Sequence, residues 1–321
     1  MASYYNFISD SFNEIKLPKE PANLYDPIRN MLAQKGKLIR PELCLLACDL
    51  FNGITKNAIY PAISFELLHT FSLIHDDIMD QAELRRGKPT IYKEYGANSA
   101  ILTGDALFAH AYQYLLQYKS IGITKIIHLF TTTAISICEG QQMDMDFEKK
   151  VKIKLDTYLQ MIRLKTASMI AACLTTGAII ANAASEHQNY LYEFGINVGL
   201  AFQIQDDLFD VYGEADKVGK TNGQDIASNK KTFLSVKALE IANKEDLKTL
   251  KHYFSKTTFD FNEKFEAIKS LYDKYEIKAI AEQQIAHYYE QAYKHLNAIP
   301  VPENKKAPLI EFVEQLMYRN F

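Results

Sequence analysis

Residues 166–184 read TASMIAACLTTGAIIANAA, and this stretch indicates the fold class. It contains no charged residue and no proline, and apolar or small residues cover more than half of the circumference of a helix drawn through it. A helix with such a surface must lie among other helices or at a subunit interface. The stretch therefore predicts a bundle of many helices, with a homodimer as the expected assembly.

Nearly every other segment repeats its apolar residues with the period of a helix rather than with the alternation of a strand. The same pattern predicts helices in Ile59–Asp80, Asn98–Tyr118, Ile123–Phe147, Leu155–Ala184, Glu186–Tyr212, Thr232–Ala242 and Phe261–Leu296. The breaks between them are short apart from Gly213–Asn229, and an unstructured connection of that length is usually functional or mobile. No linker or repeat divides the chain, so we expect one all-α domain over residues 1–321.

Composition and charge exclude several other classes of protein. The 321 residues include 13 Gly, 9 Pro and no Trp, and 48% are apolar, which excludes disordered and collagen-like chains. Lys and Arg total 36 against 39 Asp and Glu, a net charge of −3. Such a balance gives the chain as a whole no attraction to nucleic acid or to an anionic membrane surface. Any phosphate-binding site must therefore be local.

The sequence also predicts a cytoplasmic location. No stretch approaches the run of about 18 apolar residues that a membrane span needs, and the first residues lack the pattern of a signal peptide. The four cysteines lie in apolar contexts without metal-ligand spacing, which favours buried thiols in a reducing compartment. They are Cys44, Cys48, Cys138 and Cys173.

Two clusters of aspartate end two of the apolar helices. The first consists of Asp76, Asp77 and Asp80, and the second of Asp206, Asp207 and Asp210. In each, the outer carboxylates are one turn apart on one helix face, where like charges repel, and the helix dipole disfavours them further. One such cluster alone is as well explained by a solvated helix end, but a repeated penalty indicates a shared cation. Oxygen ligands that are few in number suit Mg²⁺ bound together with substrate phosphates, so the two clusters predict a magnesium-bridged diphosphate.

A diphosphate also needs direct contacts with cations, and basic residues occur near both clusters. They are Lys37, Arg40, Arg85, Arg86, Lys165, Lys220, Lys230 and Lys231. Arg85 and Arg86 by themselves are better explained as an exposed loop pair. Lys165 within its apolar helix is equally well read as a side chain that extends along the helix to solvent.

In combination, these residues resemble the trans-isoprenyl diphosphate synthase family. The similarity spans roughly residues 30 to 240, and several motifs occur in the family's order, which is far more specific than one motif. The motifs are GKLIRP at 36–41, His69, DDIMD at 76–80 with Arg85-Arg86-Gly87, Gly140-Gln141 with Asp144, Lys165-Thr166, Phe202-Gln203 before DDLFD at 206–210, and Gly219-Lys220 through Lys231-Thr232.

The resemblance implies the isoprenoid synthase fold, an all-α bundle around a central cavity, and a homodimer. The implied reaction joins isopentenyl diphosphate head to tail to allylic diphosphates of five, ten or fifteen carbons. Three Mg²⁺ ions would be bound by Asp76, Asp80 and Asp206, with Asp77, Asp207 and Asp210 as the remaining metal ligands. The allylic diphosphate would also contact Arg85, Lys165, Lys220 and Lys230. Isopentenyl diphosphate would contact Gly36, Lys37, Arg40, His69 and Arg86, and Thr166 and Gln203 would lie beside the reacting carbons.

The helix before the first cluster also bears on product length. At about 100° per residue, Ser72 lies almost beneath Asp76, and Phe65 lies about 16 Å lower on the same face, where it would form a floor. Spacing alone assigns Phe71 to the core. The resemblance instead implies that an aromatic residue at position 71 with a small residue at position 72 is typical of enzymes that make C20 geranylgeranyl diphosphate, with C15 farnesyl diphosphate as the alternative.

Three other functions compete with this interpretation. A terpene cyclase would have a mixed Asn/Ser/Glu motif in place of the second cluster and would lack GKLIRP. A hydrolase built on His69, His75 and Asp76 would need more histidine ligands and would leave the second cluster without a role. A non-catalytic partner subunit of a prenyl synthase would have lost one aspartate cluster, and this chain retains both.

Overall fold

The computed structural model describes residues 4–34, 36–148, 150–213, 223–256 and 258–318. Most of these residues are helical, which confirms the predicted all-α class. No helix in these ranges is long and apolar enough to cross a membrane. The helices are α1 (Tyr5–Asn13), α2 (Ala22–Ala33), α3 (Ile39–Leu50), α4 (Thr55–Met79), α5 (Ile91–Tyr95), α6 (Ala97–Leu115), α7 (Ile123–Glu148), α8 (Leu155–Ile162), α9 (Ser168–Ile180), α10 (Ser185–Tyr212), α11 (Gln224–Ala227), α12 (Phe233–Ile241), α13 (Lys244–Ser255), α14 (Phe261–Lys274), α15 (Ile277–Asn297) and α16 (Glu303–Tyr318).

Two of the predicted helices are interrupted. The prediction over Leu155–Ala184 is divided by a π-helical turn, Arg163–Ala167, which joins α8 to α9. The prediction over Phe261–Leu296 is divided after α14, because Glu276 adopts a left-handed backbone with φ of 52°, which interrupts the helix. Apolar periodicity continues through both points, so it does not reveal either interruption.

The predicted break at Arg85–Pro89 is a small β-hairpin. Strand β1 (Leu84–Arg85) pairs antiparallel with β2 (Lys88–Pro89). The two turn residues, Arg86 and Gly87, both have positive φ, 53° and 75°. This combination is typical of the tight type I′ turn, whose twist matches that of the paired strands. The hairpin closely follows the first aspartate cluster, and it fixes the backbone positions from which the side chains of Arg85 and Arg86 extend.

Contacts between α-carbon atoms divide the chain into two compact units. The first comprises the described residues of Met1–Ala134, Met169–Tyr192 and Ala298–Phe312, and the second those of Ile135–Ser168, Glu193–Asn297 and Val313–Phe321. The core of the first unit includes Phe65, Leu107 and Phe130, and that of the second includes Tyr158, Phe194, Phe233 and Tyr272. The single domain expected from the sequence stays a prediction.

Candidate active site

The first aspartate cluster lies in the first unit, where α4 ends. Asp76 is half-buried and Asp80, the residue that follows the helix, is exposed. Asp77 between them is only 3% exposed, and Arg85 of the hairpin binds both of its carboxylate oxygens. A buried carboxylate needs such a partner. The inner aspartate is thus engaged within the protein, whereas the outer two face outward to different degrees.

The second cluster, at the end of α10 in the second unit, has the same division of roles. Asp206 is exposed and Asp207 is only 4% exposed. The carboxylate of Asp207 accepts hydrogen bonds from the Tyr158 hydroxyl, from the backbone amide of Phe233 at 2.7 Å and from Gln203 Nε2 at 3.2 Å. The inner aspartate therefore connects α10 to α8 and to the start of α12.

Asp210, the last residue of the second cluster, lies on α10 and contacts the N-terminus of α11. Its carboxylate accepts hydrogen bonds from the backbone amides of Gln224, at 3.2 Å, and Asp225, at 3.1 Å. Burial and the nearby charge of Asp225 together raise the pKa of Asp210 to about 6, although the hydrogen bonds from the two backbone amides oppose the shift. Burial together with Asp225 likewise raises the pKa of Asp207 to about 7, although the donors on its carboxylate oppose the shift. These carboxylates crowd one another, and a bound cation would relieve the repulsion.

The donor set fits Mg²⁺ that arrives with a phosphate group. Within the described ranges, no three His, Cys, Asp or Glu side chains converge closely enough to hold a metal ion by themselves. Mg²⁺ does not need such a cage, since it usually binds one or two carboxylates, substrate phosphates and several waters. Asp76, Asp80 and Asp206 retain exposed surface for this purpose.

Five of the predicted substrate-binding residues lie together in the first unit. Arg86 donates to the carbonyl oxygen of Gln34 at 2.7 Å, and its guanidinium covers Gly36, where a Cβ atom would lie 2.6 Å from Nη2. Position 36 therefore has no room for a side chain unless Arg86 moves. The guanidinium charges of Arg40, Arg85 and Arg86 all act on His69, so Gly36 and these four side chains form one basic group, named the basic group below.

The imidazole of His69 is neutral within the basic group. Burial lowers its pKa well below the usual value, and the neighbouring arginines lower it further. Burial also lowers the pKa of Arg40, whose Nε contacts Met169 Sδ at 2.9 Å. The group thus presents concentrated positive charge without a second proton on His69, which is suitable for a polyanion.

A second set of predicted residues lies together on the π-helical turn of the second unit. Lys165 Nζ binds Asp144 Oδ2 of α7 at 2.8 Å. The Thr166 hydroxyl donates to Gln203 Oε1 of α10 at 2.9 Å. Since Gln203 also donates to Asp207, one chain of hydrogen bonds runs from Thr166 to the second aspartate cluster. Lys165 is therefore an ion-paired residue here, and not simply a side chain that extends to solvent.

The remaining predicted cations have separate positions. Lys37 is exposed before α3, and Lys230 Nζ lies 3.9 Å from an Asp225 oxygen. Lys231 is only 5% exposed and donates to the carbonyl oxygen of Asn229, and burial lowers its pKa. Lys220, predicted to contact the allylic diphosphate, lies outside the described residues.

The predicted chain-length residues lie on α4. Phe71 is half-buried, with its ring centroid 4.6 Å from that of His75 and 5.0 Å from that of Phe108 on α6. The assignment of Phe71 to the core from its spacing is therefore only partly right, because part of the side chain remains exposed. The Ser72 hydroxyl donates to the carbonyl oxygen of His69, and Phe65 is fully buried against Phe130.

Sequence reasoning missed three residues that the structure places at these positions. Tyr158 binds Asp207 but belongs to no motif, so nothing in the sequence distinguishes it from a core tyrosine. Asp225 lies in the long break Gly213–Asn229, whose length is typical of functional or mobile loops, and a search of that break for acidic residues would have found it. Glu66 lies three residues before His69 and has a buried oxygen, Oε2, without a hydrogen-bond partner.

Comparison with known proteins identifies the family of the chain. The polyprenyl synthetase family model matches residues 21–273. The chain is 35% identical to a geranylgeranyl diphosphate synthase of Sulfolobus acidocaldarius, over 99% of this chain and 98% of the relative. The solved structure of a geranylgeranyl pyrophosphate synthase superposes with a TM-score of 0.93 at 36% identity, covering 98% of this chain and 97% of that one. The Pyrococcus horikoshii geranylgeranyl pyrophosphate synthetase gives a TM-score of 0.91 at 32% identity, with coverage of 97% and 95%.

The fold and the paired aspartate clusters thus define a synthase of the isoprenoid type. The chain belongs to the polyprenyl synthetase family, which confirms the family predicted from the motifs.

Proposed function

We propose that this protein is a prenyltransferase that condenses isopentenyl diphosphate head to tail with allylic diphosphates, and that its main product is C20 geranylgeranyl diphosphate. The observation that carries the proposal is the division of roles within both clusters. In each, the inner aspartate is buried and bound by protein donors, while outer carboxylate surface stays accessible. Relatives named geranylgeranyl diphosphate synthase that match nearly the full chain support the C20 product.

The metal ligands in this proposal are the outer aspartates Asp76, Asp80 and Asp206, with Asp210 as a further ligand of the second cluster. Mg²⁺ bound by them would stabilise the negative charge that develops on the departing diphosphate. Asp77 and Asp207 act as positioning residues, because their carboxylates are already bound by Arg85 and by Tyr158 with Phe233. Three ions per site is the number proposed from the family resemblance.

The protein's own side chains complete the proposed site. Cleavage of the allylic C–O bond releases diphosphate and leaves a carbocation, and the double bond of isopentenyl diphosphate attacks the carbocation to form the new C–C bond. The released diphosphate then takes up the proton whose loss forms the new double bond. Gly36, Arg40, His69 and Arg86 of the basic group, together with Lys37, bind the diphosphate of isopentenyl diphosphate. Arg85, Lys165, Lys220 and Lys230 contact the allylic diphosphate. Thr166 and Gln203 present oxygen atoms that stabilise the cation without forming a bond to it.

Two further properties belong to the proposal. The first is a homodimer, which is supported by exposed apolar side chains on and directly after α6, among them Leu102 and Leu116, 61% and 56% exposed. Apolar surface of this kind is typical of interfaces. The second is a cytoplasmic location, which is supported by cysteines that form no disulfide: Cys44, Cys48, Cys138 and Cys173.

Product sizing tests the proposed function. The purified protein is incubated with Mg²⁺, isopentenyl diphosphate and, in separate reactions, the C5, C10 and C15 allylic primers. We expect all three primers to be extended to C20. A product that stops at C15 would establish the farnesyl alternative. If the protein by itself shows no turnover and a second prenyl synthase subunit restores turnover, the protein is instead a non-catalytic partner subunit.

A further inference from the structure

The π-helical turn Arg163–Ala167 lies against two glycines on neighbouring helices of the second unit. A Cβ atom on Gly140 of α7 would lie 2.5 Å from the backbone nitrogen of Lys165. A Cβ atom on Gly199 of α10 would lie 2.4 Å from the Cα atom of Ala167. Both distances are far below ordinary van der Waals contact, and the atoms that the added Cβ would meet, Lys165 N and Ala167 Cα, both belong to the backbone. The turn can occupy this place only because positions 140 and 199 lack side chains.

Each glycine lies one helical turn before the side chain that the π-helical turn binds. Asp144, four residues after Gly140 on α7, accepts from Lys165 Nζ at 2.8 Å. Gln203, four residues after Gly199 on α10, accepts from the Thr166 hydroxyl at 2.9 Å. Residues four apart share a helix face. Close backbone approach and side-chain bonding therefore occur on the same face of each helix.

The π-helical turn has a further consequence for Lys165 and Thr166. These neighbours bind partners on two different helices, α7 for Lys165 and α10 for Thr166. A π-helical turn widens the backbone locally, and such turns are frequent at functional sites. A regular α-helix packed at ordinary distance from α7 and α10 would place both side chains farther from their partners.

We propose that Gly140 and Gly199 are positioning residues for prenyl transfer: they admit the π-helical turn and thereby place the Lys165 ammonium and the Thr166 hydroxyl for the reaction. This inference rests on the proposed function, in which both side chains face the allylic substrate. Gly140 acts through Lys165, and Gly199 acts through Thr166.

Two double-mutant cycles test the proposal. Gly140→Ala is combined with Lys165→Met, and Gly199→Ala with Thr166→Val. Because small displacements of a reacting group cost up to about a hundredfold in rate, we expect each glycine variant alone to lower kcat at least about tenfold. In the Lys165→Met or Thr166→Val background, the same glycine substitution should lower kcat less than about twofold, since the group that it displaces is already absent.

Gly177→Ala provides the matched control. Gly177 of α9 is equally constrained, with a Cβ position 2.2 Å from the carbonyl oxygen of Cys44, but it lies in the first unit, and the atoms nearest to that position belong to Cys44, Ala47 and Cys48, which have no proposed role in catalysis. It should lower the melting temperature as the other two glycine variants do while leaving kcat within about twofold of the unsubstituted protein. A tenfold loss of kcat in Gly177→Ala would overturn the proposal, because it would show that loss of packing alone explains the effect.

Additive cycles would also overturn the proposal. If a glycine variant does not fold, Asp144→Asn replaces it in the cycle with Lys165→Met, with the same expected non-additivity. A crystal structure of Gly199→Ala in which the Thr166–Gln203 hydrogen bond persists at 2.9 Å would equally exclude the role of Gly199. These failures differ from failure of the proposed function, in which the unsubstituted protein itself would not extend any primer.

Discussion

Arg85 binds Asp77 through two atoms of its guanidinium: Nε lies 3.0 Å from Oδ1 and 2.9 Å from Oδ2, and Nη2 lies 2.8 Å from Oδ1. This ion pair joins the end of α4 to the hairpin that carries Arg86. A bidentate arginine–carboxylate pair has a fixed geometry. The ion pair engages both carboxylate oxygens of Asp77. It also uses much of the hydrogen-bonding capacity of Arg85, which the family resemblance predicts to contact the allylic diphosphate.

Asp77→Asn should mainly lower the free energy of unfolding, and its effect on the rate of Mg²⁺-dependent catalysis should be smaller. Removing one partner from a buried ion pair leaves the other charge uncompensated, and because Arg85 keeps 29% of its side-chain surface exposed we expect a loss of about 2 kcal/mol in the free energy of unfolding. Urea denaturation measures the loss. Arg85→Met should give a similar loss, and the double variant should lose less than the sum of both. Unchanged stability in Asp77→Asn would contradict this prediction.

Asp76→Asn and Asp80→Asn should show the opposite behaviour. The two carboxylates repel one another at one turn on α4, so either change should leave stability equal or slightly raised. Loss of a metal ligand should lower kcat about a hundredfold or more. Turnover at varied Mg²⁺ concentration and thermal unfolding measure the two effects. Asp26→Asn, which alters an exposed aspartate of α2, is the control. Normal turnover in Asp76→Asn would disprove the assignment of this residue to the metal site.

His69 should make stability depend on pH. Its folded pKa is lowered, so the unfolded chain takes up a proton that the folded chain refuses. Stability from this residue is therefore complete above the unfolded pKa of about 6.5 and is lost as the pH falls below it. Between pH 7 and pH 5, the protein should lose about 2 kcal/mol more than His69→Gln does. The measurement is denaturant unfolding across that range. An imidazole that titrates near pH 6.5 by NMR in the folded protein would contradict the prediction.

Phe71→Ala should lengthen the product. Phe71 lies on α4, the helix that carries Asp76, and its ring contacts Phe108 of α6. Removal of the ring therefore opens space along the predicted direction of chain growth. We expect products beyond C20 from every primer, detected by sizing the dephosphorylated alcohols. Phe12→Ala, which removes a buried aromatic ring of α1, should lower stability without changing product length. An unchanged product from Phe71→Ala would remove this residue from the control of chain length.

Leu102→Asp should weaken the proposed homodimer. A charge placed on an exposed apolar position of α6 would have to be desolvated at an interface, which costs several kcal/mol. Light scattering after size exclusion should then show a monomer at concentrations where the unsubstituted protein is dimeric. Lys119→Asp, outside α6 and exposed, is the control. A monomeric unsubstituted protein would refute the dimer itself.

The sequence predicted the helical class and the aspartate clusters well, because both depend on local spacing. Helix periodicity did not predict the π-helical turn at Arg163–Ala167, since a widened turn hardly alters the order of apolar residues. It also did not separate α14 from α15, where a single left-handed residue, Glu276, interrupts the helix. The cause in each case is a backbone conformation that side-chain hydrophobicity does not encode.

The sequence by itself determined that six aspartates stand in two clusters at helix ends, and spacing showed that the outer pair of each shares a helix face. Only the tertiary structure decided which of them remain accessible. Asp77 is bound by Arg85, and Asp207 by Tyr158, which lies 49 positions away. The physical reason is desolvation: a carboxylate that folding buries must find donors, and those donors come from segments whose proximity no local pattern reveals.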